Sequence, residues 1–112
     1  MKRPWGEWYV LEHGRNFKVK RLVIYPGQSI SHQYHNHRDE HWIITTGKAE
    51  VLLDGETFTA EQGEHFVVRV GQKHKVTCVS NNAVVAIEVQ QGFICEENDI
   101  VRLEEPDNEQ TT

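Results

Sequence analysis

Short runs rich in Val, Ile, Thr and aromatic residues recur along the chain, each closed by glycine or another turn-forming residue. The runs are Trp8–Leu11, Phe17–Tyr25, Trp42–Thr46, Ala49–Leu53, Thr57–Ala60, His65–Val70, Lys75–Val79 and Ala83–Val89. Between them stand His13-Gly14, Pro26-Gly27, Gly47, Asp54-Gly55, Gly63, Gly71, Asn81-Asn82 and Gly92. Strands of this length and spacing predict an all-β sandwich or barrel. From Ala49 to Phe58 apolar and polar positions alternate around Asp54-Gly55, a two-residue pair suited to a tight hairpin because both residues tolerate positive φ. No helical period lasts three turns. The pattern predicts one domain, residues 1–103, and a polar, acidic tail, residues 104–112, fading into disorder.

Composition narrows the function classes. With 38% hydrophobic and 26% charged residues the chain reads as an ordinary globular protein, and no apolar run approaches membrane-spanning length. The start, Met1-Lys2-Arg3-Pro4-Trp5-Gly6, is basic but lacks the apolar stretch of a secretory signal, so a cytoplasmic protein is expected. A net charge of -5 argues against a nucleic-acid partner. Cys78 and Cys95 form no C-x-x-C pair and read as reduced structural thiols.

The stretch "QYHNHRDEH", residues 33 to 41, holds three of the seven histidines beside two acids. On a strand, Gln33, His35 and His37 share a face, and Glu40 returns toward them after a polar turn from Asn36 to Asp39. Imidazole and carboxylate groups from neighbouring strands are a fit ligand set for a divalent metal. His41 should face the opposite way, and His13, His32 and His65 have no chemical company.

The pattern Gly27-x5-Gln33-x-His35-x4-Glu40-x6-Gly47 resembles the first cupin motif, with glutamine in place of its first histidine. Gly63-x5-Arg69-x-Gly71-x2-His74-x3-Cys78 resembles the second, with arginine for its proline and cysteine for its asparagine. "RPWG" at 3–6, "KVKRLVIYPGQ" at 18–28, "EHWIITTGKAEVLLDG" at 40–55 and "ENDIVR" at 97–102 are similar to the type II mannose-6-phosphate isomerases. In that family the cupin follows a GDP-mannose pyrophosphorylase domain, which has no counterpart in these residues. The resemblance implies a cupin-type double-stranded β-helix, a metal held by Gln33, His35, Glu40 and His74, and interconversion of mannose 6-phosphate and fructose 6-phosphate. Zinc fits that set, as do Mn, Fe, Co and Ni. Two other functions stay open: a non-catalytic cupin that binds a sugar phosphate or sugar nucleotide, and a cupin dioxygenase.

Isomerisation needs a proton carrier and cations for the phosphate. Lys18 and Lys20 alternate with Val19 and share a face with Leu22 and Ile24, so one can point into the barrel. On the later strand the β-branched residues Val85, Ile87 and Val89 are the plainer core face, while the family's "EVQ" run implies an inward Glu88. Glu88 and Lys20 are thus the candidates for moving the proton. Lys18, His37, Arg69 and Arg102 are the candidate contacts to substrate, Arg102 through its likeness to the family's C-terminal arginine. After "DIVR" this chain reads Leu103-Glu104-Glu105, where the family continues with aspartate and a terminal Tyr-Gly-Arg. Small cupins pair to cover their sheet edges, and Trp5, Trp8 and Phe17 would suit the interface of a homodimer.

Overall fold

The computed structural model describes residues 1–92 and 99–103; Cys95, the segment around it and the tail from Glu104 lie outside those residues. Among the described residues eleven strands run β1 (Lys2–Arg3), β2 (Gly6–His13), β3 (Phe17–Ile24), β4 (Gln33–Tyr34), β5 (Arg38–Thr46), β6 (Lys48–Leu53), β7 (Glu56–Glu61), β8 (His65–Val68), β9 (His74–Cys78), β10 (Val84–Gly92) and β11 (Val101–Arg102). They form two antiparallel sheets, one ordered β1-β2-β3-β10-β5-β8 and the other β11-β4-β9-β6-β7. Among the described residues no helix is long and apolar enough to cross a membrane.

Each predicted apolar run lies within or overlaps a strand. The β6–β7 hairpin turns at Asp54-Gly55 with φ of 49° and 85°, positive at both positions as a tight primed turn requires. Asp54 also has a longer reach: its side chain accepts the backbone N–H of Lys73, which fixes the approach to His74 at the start of β9.

Alternation along β3, β10 and β5 divides the interior into two halves. At one end Ile24 pairs with Val84, and Ala86 lies between Leu22 and Ile44. These residues are buried, and with Val51, Val76 and Trp42 they make the apolar core; each large side chain buried there contributes about 1.5–3 kcal/mol. Two residues further along the same face the pairs become Lys20–Glu88–Trp42, and then Lys18–Gln90–Glu40. The polar half is as buried as the apolar one. Thus the inward face of β10 is Val84, Ala86, Glu88 and Gln90, while the β-branched Val85, Ile87 and Val89 lie on the half-buried outer face. The plainer core reading of those three residues is corrected accordingly.

Trp5 is 5% exposed and belongs to the core, and Trp8 packs against that core. Two of the three aromatics expected at a dimer interface are therefore used within the barrel.

Candidate metal centre and its cavity

Glu40 is the hub of the polar half. Its Oε2 accepts from Nε and Nη2 of Arg38, both at 3.0 Å, and lies 2.9 Å from Nε2 of His35. The other oxygen, Oε1, accepts the indole N–H of Trp42 at 3.0 Å and stands 3.6 Å from Nε2 of His74. Arg38, Glu40 and Trp42 are alternate residues of β5 and so share its inward face.

The two imidazoles are set by their outer nitrogens. Nδ1 of His35 bonds the backbone carbonyl of Asp99, and Nδ1 of His74 bonds the carbonyl of Gln72 at 3.1 Å. A carbonyl only accepts, so each ring carries a proton on Nδ1 and turns Nε2 toward Glu40. Burial holds His74 below the ordinary histidine range, against the pull of the Glu40 charge, and favours the neutral ring that a metal requires.

One ligand atom from each of His35, Glu40 and His74 falls within a mutual 4.8 Å. Nε2 of His74 is buried and has no hydrogen-bond partner. Leaving such an atom unsatisfied costs about 1–3 kcal/mol, and a cation shared by the three residues satisfies it. The trio therefore fits a divalent metal. Gln33 is buried beside it, paired in register with His74, its Oε1 accepting from Ser31 Oγ at 3.2 Å.

A cavity of about 110 Å³ opens onto this cluster. Gln33, His35 and Glu40 line it, with Lys20, Glu88 and Gln90 from the facing strands, Arg38 at its side, and the exposed Arg3 and Arg102. Glu88 and Glu40 both line this cavity, and their acidities separate. Burial and the neighbouring Glu40 charge push Glu88 well above the usual carboxylate range. Burial acts on Glu40 as well, but hydrogen bonding and charge from His35, with the charge of His74, outweigh it and hold Glu40 well below that range. Of the two carboxyls, Glu88 is therefore the more readily protonated and Glu40 the more readily ionised. Lys20 lies opposite Glu88 in register, its Nζ 4.1 Å from the centre of the Trp8 ring.

Other expected residues lie elsewhere. His37 is off the shared face: its side chain is half-exposed, and its Nδ1 lies 3.1 Å from Asp99 Oδ1. The polar residues at 36 and 37 form a bend, which breaks the alternation expected to continue from His35. Arg69 is 64% exposed and pairs with Asp39 at 3.3 Å on the outside, so it does not reach His74. Lys18 is buried next to Gln90 but does not line the cavity. His41 is exposed, as expected.

Sequence reasoning missed two residues. Arg38 falls in the polar stretch that the sequence pattern makes a turn, although it begins the inward Arg38-Glu40-Trp42-Ile44 alternation of β5. Asp99, within the quoted "ENDIVR", carried no role; its carboxylate accepts the backbone N–H groups of Asn36 and His37, each at 3.0 Å, besides its carbonyl's bond to His35.

Residues 1–105 match the family model described as mannose-6-phosphate isomerase C-terminal. A mannose-1-phosphate guanylyltransferase of Salmonella montevideo is 41% identical over 103 residues, which cover 89% of this chain and 21% of that protein. The chain spans about a fifth of the length of the curated relatives it matches. Among solved structures, a double-stranded β-helix protein of Klebsiella pneumoniae superposes with a TM-score of 0.81 at 18% identity, covering 94% of this chain and 90% of that one. The cupin domain of Schizosaccharomyces pombe Cnp3 gives 0.70 at 18%, covering 76% and 63%. The fold is the cupin double-stranded β-helix.

Proposed function

Since the chain belongs to the family of mannose-6-phosphate isomerase C-terminal domains, we propose that it is a metal-dependent aldose–ketose isomerase interconverting mannose 6-phosphate and fructose 6-phosphate. The observation that carries this reading is the pairing of a metal-ready trio with a buried carboxyl of weakened acidity, Glu88, at one cavity edged by cations.

His35, Glu40 and His74, with Gln33 beside them, would hold the metal, zinc or one of Mn, Fe, Co and Ni. When bound, it supplies a Lewis acid for the oxygens at C1 and C2 of the open-chain sugar. The chain's own groups do the rest. Glu88, a carboxyl of weakened acidity, is suited to take a proton from one carbon and return it to the other near neutral pH. Lys20, opposite Glu88, is the competing base and a charge to steady it. Arg102 at the rim binds the phosphate as a planar fork. The cavity's walls keep water from the proton in transit.

The test is a coupled assay for fructose 6-phosphate formed from mannose 6-phosphate by metal-loaded protein, beside His35→Ala. Turnover that vanishes in the variant supports the isomerase. Metal and sugar phosphate bound without turnover would instead identify a binding module. The same reading has the protein act on free sugar phosphate in the cytoplasm as a homodimer, to be checked by light scattering.

A further inference from the structure

Nε2 of His35 is the atom a metal would take, and Arg38 stands against it. Nη2 of Arg38 stands 3.3 Å from it while also donating to Glu40 Oε2, and Nδ1 of the same ring is committed to Asp99. An imidazole nitrogen has a single lone pair, so a metal on Nε2 of His35 excludes the Arg38 N–H from it. That metal also draws on the Glu40 carboxylate, which accepts from Nε and Nη2 of Arg38. A guanidinium 5% exposed cannot turn these N–H groups to bulk water, and the open side of Arg38 is the cavity it lines.

The backbone holds Arg38 in place. It pairs with Gly92 across β5 and β10, where a Cβ on residue 92 would stand 2.3 Å from the His37 carbonyl oxygen and 2.8 Å from the Arg38 Cα. The side chain can therefore redirect its N–H groups more readily than the strand can move.

We propose that Arg38 is a ligand-contacting residue that couples the metal to an oxyanion: once a metal takes His35 and Glu40, Arg38 gives its N–H to an anionic or alkoxide oxygen of the ligand bound beside them. This rests on the metal reading above and adds a residue to it. Coupling of this kind is reciprocal, so the anion tightens the metal by the same factor as the metal tightens the anion.

The experiment is titration of Co²⁺ into wild type, Arg38→Met and Arg38→Lys, each with and without mannose 6-phosphate, and again with inorganic sulfate as the anion. Wild type should bind one equivalent of Co²⁺ about tenfold more tightly with the sugar phosphate present, and Arg38→Met should keep the stoichiometry while losing the enhancement. Arg38→Lys, which keeps the charge without the fork, should retain part of it and serves if the methionine variant fails to fold. Unchanged enhancement in either folded variant overturns the proposal. Absence of enhancement by either anion in wild type with Co²⁺ bound overturns it alone. Failure of wild type to bind Co²⁺ overturns it together with the metal reading, and enhancement by sulfate but not by mannose 6-phosphate upholds Arg38 while removing the sugar phosphate.

Discussion

The backbone carbonyl of Asp99 accepts the Nδ1–H of His35 across 64 positions of the chain. The same residue's carboxylate gathers the N–H groups of Asn36 and His37, so one aspartate fixes both the ring and the backbone around it. Asp99→Ala leaves those N–H groups without their acceptor and loosens His35. Metal affinity in a competition titration should fall about 10- to 100-fold, with Asp99→Asn falling less because one acceptor oxygen remains. Wild-type affinity in Asp99→Ala would show that the clasp does not orient the ligand.

The unpartnered Nε2 of His74 makes metal removal a stability experiment. Metal at a hundred times its dissociation constant should stabilise the wild type by about 2.7 kcal/mol, read as a shift in thermal midpoint that a chelator reverses. His74→Ala should show little of this shift. A full shift in that variant would put the cation elsewhere.

Glu88 gives the opposite pH signature to an ordinary buried carboxylate. Its folded pKa is raised above the ordinary 4.5, so above that pH the native state holds a proton that the unfolded state has released. Stability is then lost as pH rises from about 4.5 through the folded pKa. In chelated protein, Glu88→Gln should be more stable than wild type, by a margin that grows with pH over that window in urea unfolding. A constant margin from acid to neutral pH would mean that Glu88 is ionised in the fold. The same variant should lose most turnover in the isomerase assay.

Arg69 should matter little. Its ion pair with Asp39 is exposed at the guanidinium end, and such pairs contribute about 0–1 kcal/mol. Arg69→Ala is expected to leave kcat/KM within about twofold and to move stability by less than that limit. A tenfold loss of kcat/KM would return Arg69 to the ligand's path.

Much of the barrel was readable because apolar alternation and turn chemistry agree, as in Ala49 to Phe58, where Asp54-Gly55 adopts the backbone its residue types favour. Gln33, His35, Glu40 and His74 are the set the motif spacing implied; ligand atoms of the last three lie within 4.8 Å of one another although β5 and β9 belong to different sheets, and Gln33 is buried beside them. The polar interior was harder to read. A strand whose inward residues are Arg38 and Glu40 looks like a turn when polarity is taken for exposure, and Val85-Ile87-Val89 looks like core when branching is taken for burial. Asp99 could not be found locally, because its partners lie more than 60 residues earlier. His37 was misplaced because alternation holds only while the strand lasts, and β4 ends at Tyr34.

The clasp from Asp99 also bears on how the protein is made. His35, Glu40 and His74 leave the ribosome before residue 99, yet the bond to Nδ1 of His35 and the β11 strand that pairs with Gln33 come from residues 99–102. A nascent chain thus carries the metal-binding groups for a time without the part that orients them. The final geometry of the cluster is thereby deferred until Asp99 and β11 have joined β4, so local folding of the hairpins alone does not complete it.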